Sequence, residues 1–157
     1  WEQFCAPLPK EERHRLLEYY YALLSGDDRK AAMEAAVRWR LYEGACASLI
    51  PNYETITSEE QKDFAWAMAR IEAHYFLNQV IPPAQSLLKR IDALRGIPAT
   101  IIQSRYDMLC PIYTANRLHQ EWPEADYVIV PDGGHSALDA PVRSRLIEAT
   151  ENAKTIR

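Results

Sequence analysis

Two residues that can share a proton each stand just after a short apolar run. Asp107 lies in SRYDMLCP, after Ala99 to Gln103 (ATIIQ), and His135 lies in PDGGHSA, after Tyr127 to Val130 (YVIV). A carboxylate that accepts a hydrogen bond from one imidazole nitrogen fixes the tautomer and supports the imidazolium, leaving the other nitrogen to act as a general base. Gly133 and Gly134, directly before the histidine, allow a tight turn that aims it. Spacing alone leaves a plainer reading open, in which Asp107 is a turn or cap residue after a strand.

The pairing needs two neighbouring parallel strands. Both apolar runs read as strands suited to burial on two faces, and 112–122 between them reads as the crossover helix that would bring both side chains to the carboxyl edge of one sheet. A last helix is expected from Val142 to Ala153. Upstream of Pro98 the signals are helical throughout: Pro9 with Glu11 and Glu12 opens a first helix that Gly26 stops. Asp28 caps a second that runs to Gly44, with Pro51 closing the apolar stretch after it. Ser58 and Gln61 form a capping box for a third, to about Phe76. A fourth spans Ala84 to Leu94 before Gly96 and Pro98. The expected architecture is α/β: a helical domain over 1–96 and two strand-helix units over 97–157. Two strands do not make a stable sheet, so the rest of the sheet is expected from sequence not present here.

Composition fits an ordinary globular chain, with 157 residues, 48% hydrophobic, 25% charged and a formal charge of -4. That balance argues against nucleic acid and anionic membrane surfaces as partners. Cys5, Cys46 and Cys110 form no C-x-x-C pair, which argues against a disulfide framework or zinc site and fits a reducing cytoplasm. Glu72 and His74 are two apart on a helix and face different ways, so no metal is expected there. The sequence opens on Trp1 without a signal-peptide layout and reads as starting inside a longer fold.

SRYDMLCP, PDGGHSA and ARIEAHYF (Ala69 to Phe76) resemble the acid, histidine and cap motifs of proline iminopeptidases, which are α/β-hydrolases, and the similarity extends over nearly the whole chain. In that fold the triad runs serine, acid, histidine. The resemblance implies that Asp107 is the triad acid and His135 the general base, and that 1–96 is the helical cap. It also implies that Glu43 in WRLYEGA and Glu72 in ARIEAHYF receive the free amino terminus of a substrate, and that Cys110 lines the pocket for the proline ring. An N-terminal proline offers a secondary ammonium with two N–H donors, which a pair of carboxylates can neutralise and orient. A helical glutamate is more often a solvated face residue, yet Glu43 has Trp39 and Tyr42 close in sequence, and Glu72 has Tyr75 and Phe76. Two positions depart from the family: Tyr42 replaces a common tryptophan and Ser104 a usual glycine.

None of the glycines (Gly26, Gly44, Gly96, Gly133, Gly134) frames a serine in a G-x-S-x-G elbow, so the nucleophile and its oxyanion donors are expected from outside these residues. The expectation is the C-terminal part of a serine aminopeptidase that releases N-terminal proline from peptides, inactive alone and needing no cofactor. The rivals are a non-catalytic interaction fragment, associating with itself or with the missing half, and a hydrolase of another small amide or ester.

Overall fold

The computed structural model describes residues 1–50, 56–78 and 86–155. The chain forms two compact units, Trp1–Ala45 with Tyr53–Pro82 and Cys46–Asn52 with Pro83–Arg157.

The first unit is helical. A short α1 (Glu2–Cys5) is followed by a 3-10 helix (Lys10–Arg15), α2 (Leu16–Ser25), α3 (Arg29–Ala47) and α4 (Glu59–Asn78). The first expected helix therefore begins as a 3-10 segment, all of whose side chains are charged or titratable and none of which is buried. The two predicted caps form: Asp28 Oδ1 accepts the Ala31 amide at 3.1 Å. Ser58 Oγ accepts the Gln61 amide at 3.1 Å, while Gln61 Oε1 accepts the Ser58 amide at 3.1 Å. Helix α3 passes through Gly44 and ends three residues later, its last residues belonging to the second unit. The expected stop at Pro51 lies outside the described residues, as does the expected helix start at Ala84.

Packing in this unit is close because the contact surfaces are small. Ala35 and Ala36 of α3 and Ala65, Ala69 and Ala73 of α4 are buried in one cluster with Tyr20 and Leu24 of α2. Phe4 stacks on Tyr20 at 4.4 Å, and the Tyr20 hydroxyl donates to Phe4 O at 2.8 Å. Burial pushes the Tyr20 phenol up to about 12. The outer face of α4 is different: Phe64, Met68, Ile71 and Tyr75, spaced four, three and four apart, form an exposed apolar stripe.

The second unit contains a 3-10 helix (Leu87–Leu94), β1 (Thr100–Ser104), α5 (Ile112–Glu121), β2 (Asp126–Val130) and α6 (Ala140–Ala153). The strands are parallel neighbours, in register from Thr100 opposite Asp126 to Ser104 opposite Val130. Helix α5 packs on β1 and on the 3-10 helix, and α6 packs on both strands. Within the strands only Ser104 and Val130 are buried, so the expected burial on two faces is not met by the elements present. In 87–94 only Ile91 is buried, against Trp122 and Ala125, and the segment takes 3-10 rather than α geometry.

Backbone pairing continues past the strand ends, where Arg105 N donates to Val130 O at 2.9 Å and Tyr106 N to Gly133 O at 3.2 Å. These bonds tie the Asp107 loop to the His135 loop. The glycine pair is required by close approach. A Cβ on Gly133 would lie 2.6 Å from Ser104 Oγ, and one on Gly134 would lie 2.7 Å from Ala47 O and from Leu49 N. The 47–49 backbone is held there because Ser136 N donates to Ala47 O at 2.9 Å and Ser48 Oγ to Asp139 Oδ1 at 3.2 Å. Gly134→Ala is expected to destabilise the chain by about 2 kcal/mol, since backbone must move. Gly96→Ala, with nothing within 4 Å, should be neutral or slightly stabilising. Urea unfolding of both variants checks the contrast, and equal stabilities would remove the case for a packing constraint at Gly134.

Candidate active site

Asp107 sits in the loop after β1, with its side chain only 8% exposed. A carboxylate so withdrawn from water needs its lone pairs filled. Oδ1 accepts the Leu109 amide at 3.0 Å and the Cys110 amide at 2.7 Å, closing a turn in which the aspartate side chain acts as part of the backbone. His135 Nδ1 lies 3.1 Å from both Oδ1 and Oδ2. The imidazole is 41% exposed, and its Nε2 makes no hydrogen bond among the described residues. With the proton on Nδ1 facing the carboxylate, Nε2 presents a lone pair to solvent, the arrangement a general base requires.

Cys110 is exposed and joined to Asp107 through its own backbone N–H. Partial burial and the neighbouring carboxylate push its thiol above the ordinary value, so it is a weak nucleophile. Gln103, which the sequence reading passed over, donates from Nε2 to Cys110 O at 3.1 Å, to Ser104 O at 3.2 Å and toward Asp107 Oδ2 at 3.4 Å. A polar amide ending the run ATIIQ was the available signal, because a polar group in a strand needs a partner.

In the first unit, α3 and α4 bring Glu43 and Glu72 together. Trp39 Nε1 donates to Glu72 Oε2 at 2.9 Å. Desolvation, then the Glu72 charge and a hydrogen bond with Glu72, push the Glu43 carboxyl from its ordinary 4.5 to about 7. Near pH 7 the Glu43 carboxyl is therefore partly protonated, the Arg40 charge opposing the shift without cancelling it. Trp39, expected only as an apolar neighbour, is also a donor to this pair. Among the described residues no group of three or more His, Cys, Asp and Glu side chains could hold a metal ion. None of their helices is long and apolar enough to cross a membrane.

The raised Glu43 value sets a pH dependence. Between 4.5 and about 7 the folded chain binds more proton than the unfolded one, so the stability that this group contributes is present at low pH and is lost as pH rises through that window. Glu43→Gln should remove that loss. The variant is expected to exceed the natural chain at pH 8 by about 1 kcal/mol, a figure discounted for solvent screening of a half-buried group, with little difference near pH 4. Urea unfolding at the two pH values measures it; a Gln variant no more stable at pH 8 would mean that the pair is not strained.

No protein-family model matches the chain. Among curated proteins it is similar to the probable proline iminopeptidase of Leptolyngbya boryana, 38% identical over 96% of this chain and 47% of the relative. It is 40% identical to the proline iminopeptidase of Arabidopsis thaliana over 99% of this chain and 42% of the relative. The proline iminopeptidase of Xylella fastidiosa (strain Temecula1 / ATCC 700964) is 37% identical over 97% and 49%. The chain spans about half the length of the curated relatives it matches. Nearly all of its residues align, and the chain is similar to part of each of these proline iminopeptidases.

Proposed function

We propose that this chain is the C-terminal part of an α/β-hydrolase that removes N-terminal proline from peptides, with a nucleophilic serine supplied by sequence outside these 157 residues. The observation that carries the reading is the Asp107–His135 pair: a nearly buried carboxylate filled by two backbone N–H donors, with an imidazole 3.1 Å away whose Nε2 is open. In the whole enzyme His135 takes the serine proton through Nε2 as the hydroxyl attacks the scissile carbonyl, and Asp107 stabilises the imidazolium. His135 then protonates the departing amine, and a water activated by the same nitrogen releases proline. No cofactor enters this chemistry.

The Glu43 and Glu72 carboxylates are the proposed site for the substrate's free amino terminus, in a cap formed by the helical residues 1–96. The support is the raised Glu43 carboxyl beside Glu72: an ammonium placed there would displace the proton that Glu43 takes up, satisfying two acceptors with two N–H donors. Cys110, small and un-ionised, is proposed as part of the wall around the proline ring. The half-covered strands β1 and β2 support a sheet continued by the remainder of the fold. The chain alone should then be inactive, and peptides with N-terminal proline are its substrates only in the reassembled protein. The cytoplasm is the proposed compartment.

One feature favours a different role. The exposed stripe Phe64, Met68, Ile71 and Tyr75 on α4 suits an interaction fragment that associates without catalysis. Mixing the chain with the N-terminal half of a related iminopeptidase separates the two. A chromogenic proline amide should be hydrolysed only by the mixture, and His135→Ala should cut that activity by about a thousandfold or more. Binding of the halves without activity would favour the interaction role, and activity of the chain alone would overturn the account of the nucleophile.

In an active mixture, Glu43→Gln and Glu72→Gln should each raise KM about tenfold or more and weaken the preference for a free over an acetylated terminus. Substrate binding below pH 7 should release a proton, detectable by calorimetry in buffers of different ionisation enthalpy. An unchanged preference and no proton release would remove the subsite.

A further inference from the structure

The Asp107 carboxylate has two oxygens with different tasks. Oδ1 closes the 107–110 turn through the Leu109 and Cys110 amides. His135 Nδ1 lies 3.1 Å from both oxygens, and Oδ2 has in addition the Gln103 amide group at 3.4 Å. The two oxygens turn together as one planar group about the soft last bond of the side chain, so a donor at Oδ2 adds a second hold on the orientation that the turn gives through Oδ1. Gln103 reaches the carboxylate from β1, the more rigid element, and the same nitrogen holds Cys110 O at 3.1 Å. Cys110 is therefore gripped at both ends of its peptide groups, its N–H by Asp107 and its C=O by Gln103. An amide has two hydrogens for the three nearby oxygens, so the bonds to Ser104 O, Cys110 O and Asp107 Oδ2 are shared.

We infer that Gln103 is a positioning residue, whose side-chain amide locks the 107–110 turn and the Asp107 carboxylate so that neutral His135 keeps its proton on Nδ1. The inference rests on the reading of Asp107 and His135 as acid and base. The residue type suits the task. A lysine or arginine here would bring the same donors with a positive charge and would weaken the support that Asp107 gives an imidazolium. A glutamate would bring a second negative charge and no donor. Only a neutral donor fixes the carboxylate without spending its charge on a partner other than the histidine.

The experiment reads the tautomer directly, on the 157-residue chain labelled with 15N-histidine at pH 8.5. Two-bond 15N–1H correlations distinguish Nδ1–H from Nε2–H rings, and His135→Gln assigns the signal. The natural chain is expected to hold His135 predominantly as Nδ1–H. Gln103→Leu, which keeps the bulk and removes the donors, should shift it to predominantly Nε2–H, the form that an imidazole without this partner prefers. His14, His74 and His119 should be unmoved, which reports an intact fold; Gln103→Met serves if the branched side chain disturbs the strand. Persistence of Nδ1–H in a folded Gln103 variant would overturn the positioning role and leave the Asp107–His135 pair standing. An Nε2–H ring in the natural chain would overturn the pair itself, and with it both readings.

Discussion

A carboxyl group withdrawn from water needs partners for its oxygens, and the second unit is arranged around that requirement at Asp107. Two backbone amides of its own turn, one side-chain amide from β1 and one imidazole surround it. Each partner depends on a different part of the fold. The turn depends on local sequence, Gln103 on the strand, and His135 on the parallel register that carries backbone pairing beyond Ser104 and Val130. Gly133 and Gly134 matter for the same reason, because any side chain there would push the histidine loop away from β1 or from the 47–49 backbone.

The first unit holds carboxylates under the opposite condition. Glu43 and Glu72 face one another beside the Trp39 indole N–H, and burial together with the neighbouring Glu72 charge raises the Glu43 carboxyl even though Arg40 and Trp39 oppose the shift. The Asp107 carboxylate meets four donors, whereas Glu43 meets a second carboxylate. Elements that fold on their own account would gain from replacing either glutamate by a neutral residue, so the cost is a physical argument for a ligand-binding role, of the kind that functional sites commonly carry.

Legibility in the sequence followed the range of the interactions. The Asp28 cap and the Ser58–Gln61 box are settled within four residues, and both were readable. The strands stood out as short apolar runs, and the structure places Asp107 and His135 at adjoining strand ends. What escaped notice depends on packing. Helix α3 passes Gly44, where a weak helix former would be a natural stop, and its end is instead held by Ser136 donating to Ala47 O. The Trp39 bond to Glu72 joins residues on different helices, and the Gln103 fan exists only because the chain folds back after Asp107. The 3-10 segment at Lys10–Arg15 was hidden because an entirely polar stretch carries no periodicity to read.

Helix α4 carries alanines inward and Phe64, Met68, Ile71 and Tyr75 outward, the reverse of the usual distribution of bulk. Water already reaches about half of the surface of those large side chains in the folded chain, so melting adds less newly hydrated hydrocarbon from this helix than if they faced the core. Its share of the heat-capacity increment of unfolding is correspondingly smaller, and a smaller increment flattens the curve of stability against temperature. This helix therefore contributes a resistance to cold that a conventionally packed one would lack.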